Sequence, residues 1–67
     1  MTLEHIKTRI AHIKSTRDDD EHAHCEEDQL RKEFIDYVRV APNDPQLAEK
    51  AALVLSTTNL DFARWCA

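Results

Sequence analysis

Residues 10–30 read IAHIKSTRDDDEHAHCEEDQL, and this stretch decides the fold. It contains the last turns of one amphipathic segment, a polar link of a few residues and the start of a second amphipathic segment. Upstream of the link, apolar residues step by three and four positions, which places them on one stripe of a helix. They are Leu3, Ile6, Ile10 and Ile13. Because the link is so short, the two helices are predicted to form an antiparallel hairpin.

The helical periodicity and its breaks predict an all-α fold with helices at about 3–17, 19–40, 45–56 and 59–66. Proline-rich residues 42–45 separate the second helix from the third, because proline cannot continue a helix. The inward face of the third helix is predicted to carry Leu47, Ala51, Val54 and Leu55. We expect a single small domain over residues 1–67.

Side chains at the helix ends support these bounds. Thr2 is suited to cap the first helix. The second helix has three candidate caps, of which Asp18 lies at capping-box spacing from Glu21; the others are Asp19 and Asp20. Either Asn43 or Asp44 is expected to cap the third helix. Phe62 and Trp65, on the last short helix, are expected to close the core.

The composition narrows the class of protein. A chain of 67 residues has marginal stability unless a metal, a disulfide or self-association helps it. Glycine is absent, which excludes glycine-rich phosphate loops, and the net charge of −4 disfavours nonspecific binding to nucleic acid. No apolar run approaches the length of a membrane span. With only Cys25 and Cys66 as cysteines, we expect free thiols and a cytoplasmic location.

Residues 18–28 hold seven of the thirteen carboxylates of the chain. Acidic residues at a helix amino terminus are stabilised by the helix dipole, each by about 0.3–1 kcal/mol. Glu27 with Arg31 and Asp28 with Lys32 are i,i+4 pairs in the favourable orientation. Helix-start electrostatics and surface pairing therefore explain most of this charge without any function.

The same stretch contains the residue types that bind metal ions, at positions His22, His24, Cys25 and Glu26. His22 and Glu26 lie one turn apart, whereas His22 and His24 are about 200° apart on a helix. Cys25 points to another side, and the spacing matches no structural zinc site. We therefore predict no metal site and no cofactor, with His22, His24 and Glu26 as weak candidate ligands. His12 on the first helix is interpreted as solvated.

Glu27 is the one charge that the surface does not explain. It falls inside the apolar stripe of the second helix, between Leu30 and Val38. A buried carboxylate is costly unless it is hydrogen-bonded or paired. Our hypothesis is that Glu27 accepts hydrogen bonds from the C-terminal part of the chain, with Arg64, Trp65 or a helix amino end as candidate donors.

Four apolar residues lie off the predicted stripes, which is many for so small a chain. They are Ile35, Val40, Leu53 and Leu60. We interpret them as a surface for a protein partner or for a second copy of the chain.

Two motifs carry a family resemblance: D-D-E-x-A-H-x-x-E-D-x-L at residues 19–30 and D-F-x-R-W at residues 61–65. With them the chain resembles small phage and prophage proteins of unknown function. The resemblance implies a compact helical protein made inside a bacterial cell, and it supplies no activity. It also groups residues from the two motifs into one polar cluster. These are His24, Glu27, Asp28, Arg64 and Trp65.

These observations predict a non-catalytic protein-interaction module, of which a phage-encoded factor acting on a bacterial host protein is one form. The alternative is a helix-turn-helix-like regulator associated with nucleic acid, built from helices 45–56 and 59–66. Its second helix lacks a basic patch, so nucleic acid is the less favoured partner. A metal-binding module ranks lower still. No enzyme is predicted, because a helical hairpin of this size has little room for a cleft around a Cys–His pair.

Overall fold

The computed structural model describes residues 1–64. It contains three α-helices, α1 (Leu3–Ser15), α2 (Asp20–Val40) and α3 (Leu47–Leu55), followed by a short 3-10 helix, Ser56–Asn59. Within residues 1–64 there is no strand, so the predicted all-α fold and helical hairpin are confirmed. No helix in this part of the chain has both the length and the apolar character needed to cross a membrane.

The link between α1 and α2 is a compact turn, which forces the two helices to run antiparallel. The Thr16 N–H donates to the carbonyl oxygens of His12 at 3.2 Å and Ile13 at 3.1 Å, and so ends α1 two residues before the predicted end. The Asp19 N–H in turn donates to the Thr16 carbonyl at 2.9 Å. Of the three candidate caps, Asp19 is the one used, because its carboxylate accepts the His22 N–H at 3.2 Å.

The core lies between the hairpin and α3, which contacts both of its helices. It consists of the buried residues Ile6, Ile13, Ala23, Leu30, Phe34, Val54 and Phe62. Leu3 and Ile10, on the edges of the predicted α1 stripe, are only partly buried. The prediction for Leu55 was wrong, since 60% of this residue is exposed. Within the last turn of α3, Val54 is buried in the core while the neighbouring Leu55 faces solvent.

A buried polar cluster fixes the turn between α2 and α3. The Asp44 carboxylate accepts hydrogen bonds from the Tyr37 hydroxyl and from Lys50 Nζ, and Lys50 Nζ lies 3.2 Å from the Tyr37 hydroxyl oxygen. The hydrogen bond from Lys50 is the main reason that the pKa of Asp44 lies well below its usual range. The same hydrogen bond raises the pKa of Lys50. Asp44 also accepts the Gln46 N–H at 2.8 Å. Asp44 therefore stabilises the turn before α3, but the prediction that Asn43 or Asp44 caps this helix was wrong, because the N-cap residue is Gln46.

The last predicted helix, 59–66, was wrong over residues 60–64, which contain no helix. The backbone becomes extended at Leu60, and Phe62 enters the core as predicted. The helix-turn-helix outline therefore lacks its second helix over these residues. Trp65 and Cys66 lie outside the described residues.

Replacing Asp19 by Ala should destabilise the fold by about 1 kcal/mol, because the amino end of α2 would lose its side-chain cap. For a domain of this size that loss lowers the melting temperature by roughly 4–8 °C. Thermal unfolding followed by circular dichroism measures the effect. Asp18→Ala is the matched control, because Asp18 is exposed and is not the cap. Equal melting temperatures for the two variants would contradict the assignment of the cap.

Candidate functional site

Glu27 is buried in the interior of the domain, with 1% of its surface exposed. Arg64 holds it in a two-point contact, since Nε donates to Oε1 at 2.8 Å and Nη2 donates to Oε2 at 3.0 Å. The Arg31 guanidinium lies one turn further along α2, with Nη2 at 3.6 Å from Oε2. The predicted contact between Glu27 and Arg64 is therefore confirmed, and it joins residues 37 positions apart.

Arg64 also binds the irregular segment that contains it. Its guanidinium donates to the carbonyl oxygens of Thr57 at 2.6 Å, Phe62 at 3.2 Å and Leu60 at 3.4 Å. The guanidinium carbon lies 4.0 Å from the centre of the Phe62 ring. The segment makes few backbone hydrogen bonds of its own, from the Leu60 N–H to the Thr57 carbonyl at 3.0 Å and from the Phe62 N–H to the Leu60 carbonyl at 3.2 Å. A side chain with five donors adds further hydrogen bonds to its carbonyl groups.

A second hydrogen bond attaches the same segment to α2, from the Ala63 N–H to Asp20 Oδ1 at 3.1 Å. Asp20 is in the first turn of α2, and Glu27 lies two turns further along the helix. The C-terminal segment is therefore held along the amino-terminal half of α2 at two points. One of the acidic residues that the sequence assigned to helix-start electrostatics thus has a specific tertiary partner.

The charge of Glu27 is stabilised despite its burial. Burial alone would raise the pKa of Glu27, but the hydrogen bonds from Arg64 and the nearby charge of Arg31 outweigh it, so the pKa is lowered. The hydrogen bond to Glu27 correspondingly raises the pKa of Arg64. The two residues thus form an ion pair over the whole physiological pH range.

Two other members of the predicted polar cluster, His24 and Asp28, pair with each other and not with this ion pair. His24 pairs with Asp28 one turn along α2, with Nε2 at 3.3 Å from Oδ2. Asp28 is exposed, as expected for a pair on the solvent side of the helix. Trp65 lies outside the described residues.

The structure groups the weak candidate metal ligands differently from the prediction. His22 and Glu26 do meet, with Nε2 at 3.7 Å from Oε1, but His24 is turned away toward Asp28. The third residue of the group is His12 on α1, whose Nε2 lies 3.9 Å from Glu26 Oε2. Sequence reasoning interpreted His12 as solvated. The short turn could have indicated this contact, because an antiparallel hairpin brings the end of α1 beside the start of α2.

The predicted partner surface is only half exposed. Ile35 and Val40 are exposed, by 70% and 66% respectively. Leu53 and Leu60 instead pack against the core as partly buried residues, so that part of the prediction was wrong. Leu60 lies inward because the chain is extended there instead of helical.

Ile35 belongs to a stripe of exposed residues that runs the length of α2 and is spaced alternately by four and three positions. We call it the outer face of α2; its residues are Glu21, Cys25, Asp28, Lys32, Ile35 and Arg39. The residues of the outer face form three pairs at equal distances before and after Leu30. These pairs are Asp28 with Lys32, Cys25 with Ile35 and Glu21 with Arg39, so each carboxylate is matched by a base. Sequence reasoning identified Ile35 and the pair of Asp28 with Lys32 as surface features, but it did not relate them to one another as one face.

Comparison with known proteins gives no relative: no family model, no curated protein and no solved structure matches this chain. The resemblance to small phage and prophage proteins therefore stays a prediction.

Replacing Glu27 by Gln should destabilise the protein by about 2–3 kcal/mol, because Arg64 would be left facing a neutral amide at a buried site. For a small domain this lowers the melting temperature by on the order of 10 °C. Asp61→Asn is the control, because Asp61 is an exposed carboxylate outside the helices. A Glu27→Gln variant with the same melting temperature as the wild type would contradict the structural role of the ion pair.

Stability should also fall in acid. The folded-state pKa of Glu27 is below its unfolded value, so its contribution is complete above the unfolded pKa, about 4.3, and is lost as the pH falls through the folded value. The free energies of unfolding of wild type and Glu27→Gln, from urea titrations, should therefore converge as the pH falls from about 5 toward about 3. A difference that stays constant over this range would contradict the lowered pKa.

Proposed function

We propose that the chain is a non-catalytic protein-interaction module whose partner is a second copy of itself, bound through the outer face of α2. The observation that carries the proposal is the pairing of opposite properties about Leu30. If two copies of α2 pack antiparallel, with the two-fold axis at the height of Leu30 along the helix, each residue of the outer face meets a complementary residue of the other copy. These pairs are Glu21 with Arg39, Cys25 with Ile35 and Asp28 with Lys32.

The spacing of the outer face fits this arrangement. Positions that alternate by four and three have the spacing of the a and d positions of a heptad, the repeat with which two helices pack along a common seam. Only Cys25 and Ile35 of the six are apolar, so charged pairs make up most of the contact. A two-fold axis makes the interface self-complementary, so each of the three pairs occurs twice. All six residues are exposed in the monomer and free of the core, which supports their use in a contact.

Charge selects the antiparallel orientation. In a parallel dimer each residue would face its own copy, so Glu21, Asp28 and Lys32 would each meet a like charge. In the antiparallel dimer all four charged pairs are of opposite sign. Each exposed ion pair contributes at most about 1 kcal/mol, so the charges fix orientation and register more than they supply affinity.

The apolar contribution comes from Ile35, which stands 70% exposed and would be covered by Cys25 of the other copy. Burial of an isoleucine side chain is worth about 1.5–3 kcal/mol, and the dimer would contain two such contacts. After the cost of association we expect a weak dimer, with a Kd on the order of 0.1 mM, that weakens further as salt is added.

Disulfide trapping tests the register. In a Cys66→Ser background, Ile35→Cys should give a covalent dimer on oxidation, because Cys25 of one copy would lie opposite the introduced thiol of the other. Val40→Cys is the matched control, since Val40 is an exposed apolar residue of the same helix that lies off the outer face. Non-reducing electrophoresis reads the result. Equal trapping of both variants, or none at protein concentrations about tenfold above the expected Kd, would overturn the proposed register.

A charge exchange serves as the second arm of this experiment. Asp28→Lys should weaken the dimer in sedimentation equilibrium, because two lysines would then face each other. Adding Lys32→Asp should restore it, because the pair is again of opposite sign. Thermal unfolding of each variant checks that the monomer fold is unchanged. A stable complex with a different bacterial protein that needs Ile35, found while the chain itself remains monomeric, would replace self-association by a heterologous partner.

A further inference from the structure

Three metal-binding side chains from the two helices of the hairpin converge beside the turn that connects them. They are His12 of α1 and His22 and Glu26 of α2, and their ligand atoms all lie within 4.8 Å of one another. The centres of the two imidazole rings are 6.0 Å apart. The group lies next to the outer face of α2 but shares no residue with it, so it does not depend on the proposed dimer.

Local structure explains why these three residues meet. His22 and Glu26 are one turn apart on α2, which places them on the same side of the helix. His12 is in the last turn of α1, next to the Thr16–Asp19 turn that reverses the chain. Since backbone hydrogen bonds and the Asp19 cap hold this turn, the approach of the two helices at this point is fixed.

The three side chains do not satisfy one another by hydrogen bonding. Glu26 lies 3.9 Å from His12 Nε2 and 3.7 Å from His22 Nε2, both longer than a hydrogen bond. Its two oxygens each face a different imidazole. The lone pairs of both rings and of the carboxylate therefore remain available to a shared ion.

We propose that His12, His22 and Glu26 bind one divalent transition-metal ion, with Zn²⁺ as the best match. Two imidazoles and one carboxylate form a ligand set that zinc uses in proteins, and the remaining position is left for water. Softer thiolate sites and all-oxygen sites select other ions. The site joins α1 to α2, so an ion bound there cross-links the hairpin.

The separations observed are close to those that zinc requires. With zinc–ligand bonds of about 2.0–2.1 Å in a tetrahedron, neighbouring ligand atoms lie roughly 3.3 Å apart. The two separations from Glu26, which involve different carboxylate oxygens, exceed this by roughly half an ångström. With one ligand atom from each residue the three atoms lie within 4.8 Å of one another, a gap that side-chain rotation can close. His12 and His22 are about half exposed, so neither is held in place by packing.

The surroundings favour a cation. Asp19 and Glu21 line the same shallow depression as His22, Cys25 and Glu26. Negatively charged carboxylates around a depression raise the local concentration of positive ions. The nearest thiol, Cys25, is exposed and is not part of the converging group.

Zinc binding to untagged protein tests the proposal. Isothermal titration calorimetry should give one zinc per chain, and His12→Ala and Glu26→Gln should each weaken binding at least tenfold. His24→Ala is the matched control, since His24 is on the same helix but pairs with Asp28; its affinity should equal that of the wild type. Zinc at about ten times the Kd should raise the melting temperature of the wild type by roughly 5–10 °C and leave His12→Ala unchanged.

Cobalt identifies the ligands independently. Co²⁺ bound by imidazole and carboxylate should give d–d absorption without a charge-transfer band from sulfur. A strong sulfur band, one zinc per two chains, or equal zinc affinity in His12→Ala and the wild type would each overturn the site. Because His12 and Glu26 are absent from the outer face of α2, the dimer experiments can fail while this one succeeds, and the reverse.

Discussion

The ion pair between Glu27 and Arg64 is the contact on which the rest of the structure depends. It joins the middle of α2 to the end of the described chain, and the same guanidinium binds the backbone of the irregular segment. A buried carboxylate without this partner would be strongly unfavourable. The pair therefore does more than add stability, because it specifies how residues 60–64 lie against the hairpin and places Phe62 in the core.

A second polar cluster does the same for the other connection. Asp44 and Lys50 join the turn before α3 to α3 itself, and Tyr37 joins both to the end of α2. Within residues 1–64 the core has only seven buried apolar residues, so packing alone leaves the positions of α3 and the C-terminal segment weakly specified. Directional hydrogen bonds at two separate sites supply that specification in a domain of 67 residues.

The long helix α2 thereby has three different sides. One side faces the core, a second faces α1 through the Arg9–Glu33 ion pair and the group of His12, His22 and Glu26, and the third is the exposed outer face. The two sides that face away from the core carry different residues. The side toward α1 carries His22 and Glu26, which converge with His12, and the outer face carries charges that are complementary to those of a second copy. A helix of 21 residues in so small a domain cannot be covered by α1 and α3, so much of its surface remains available for contacts.

The sequence by itself determined the helical class, the hairpin and the burial of Glu27, since periodicity and chain breaks are local properties. Arg64 was one of the candidate donors to Glu27 named from the sequence, and the family resemblance grouped the two residues. Only the tertiary structure decided that residues 60–64 are not helical, since long-range hydrogen bonds from Arg64 to Glu27 and from the Ala63 N–H to Asp20 override a local helical pattern. It likewise turned Leu60 inward, exposed Leu55 and brought His12 to His22 and Glu26. Those outcomes depend on where two separate helices meet, which no single stretch of residues encodes.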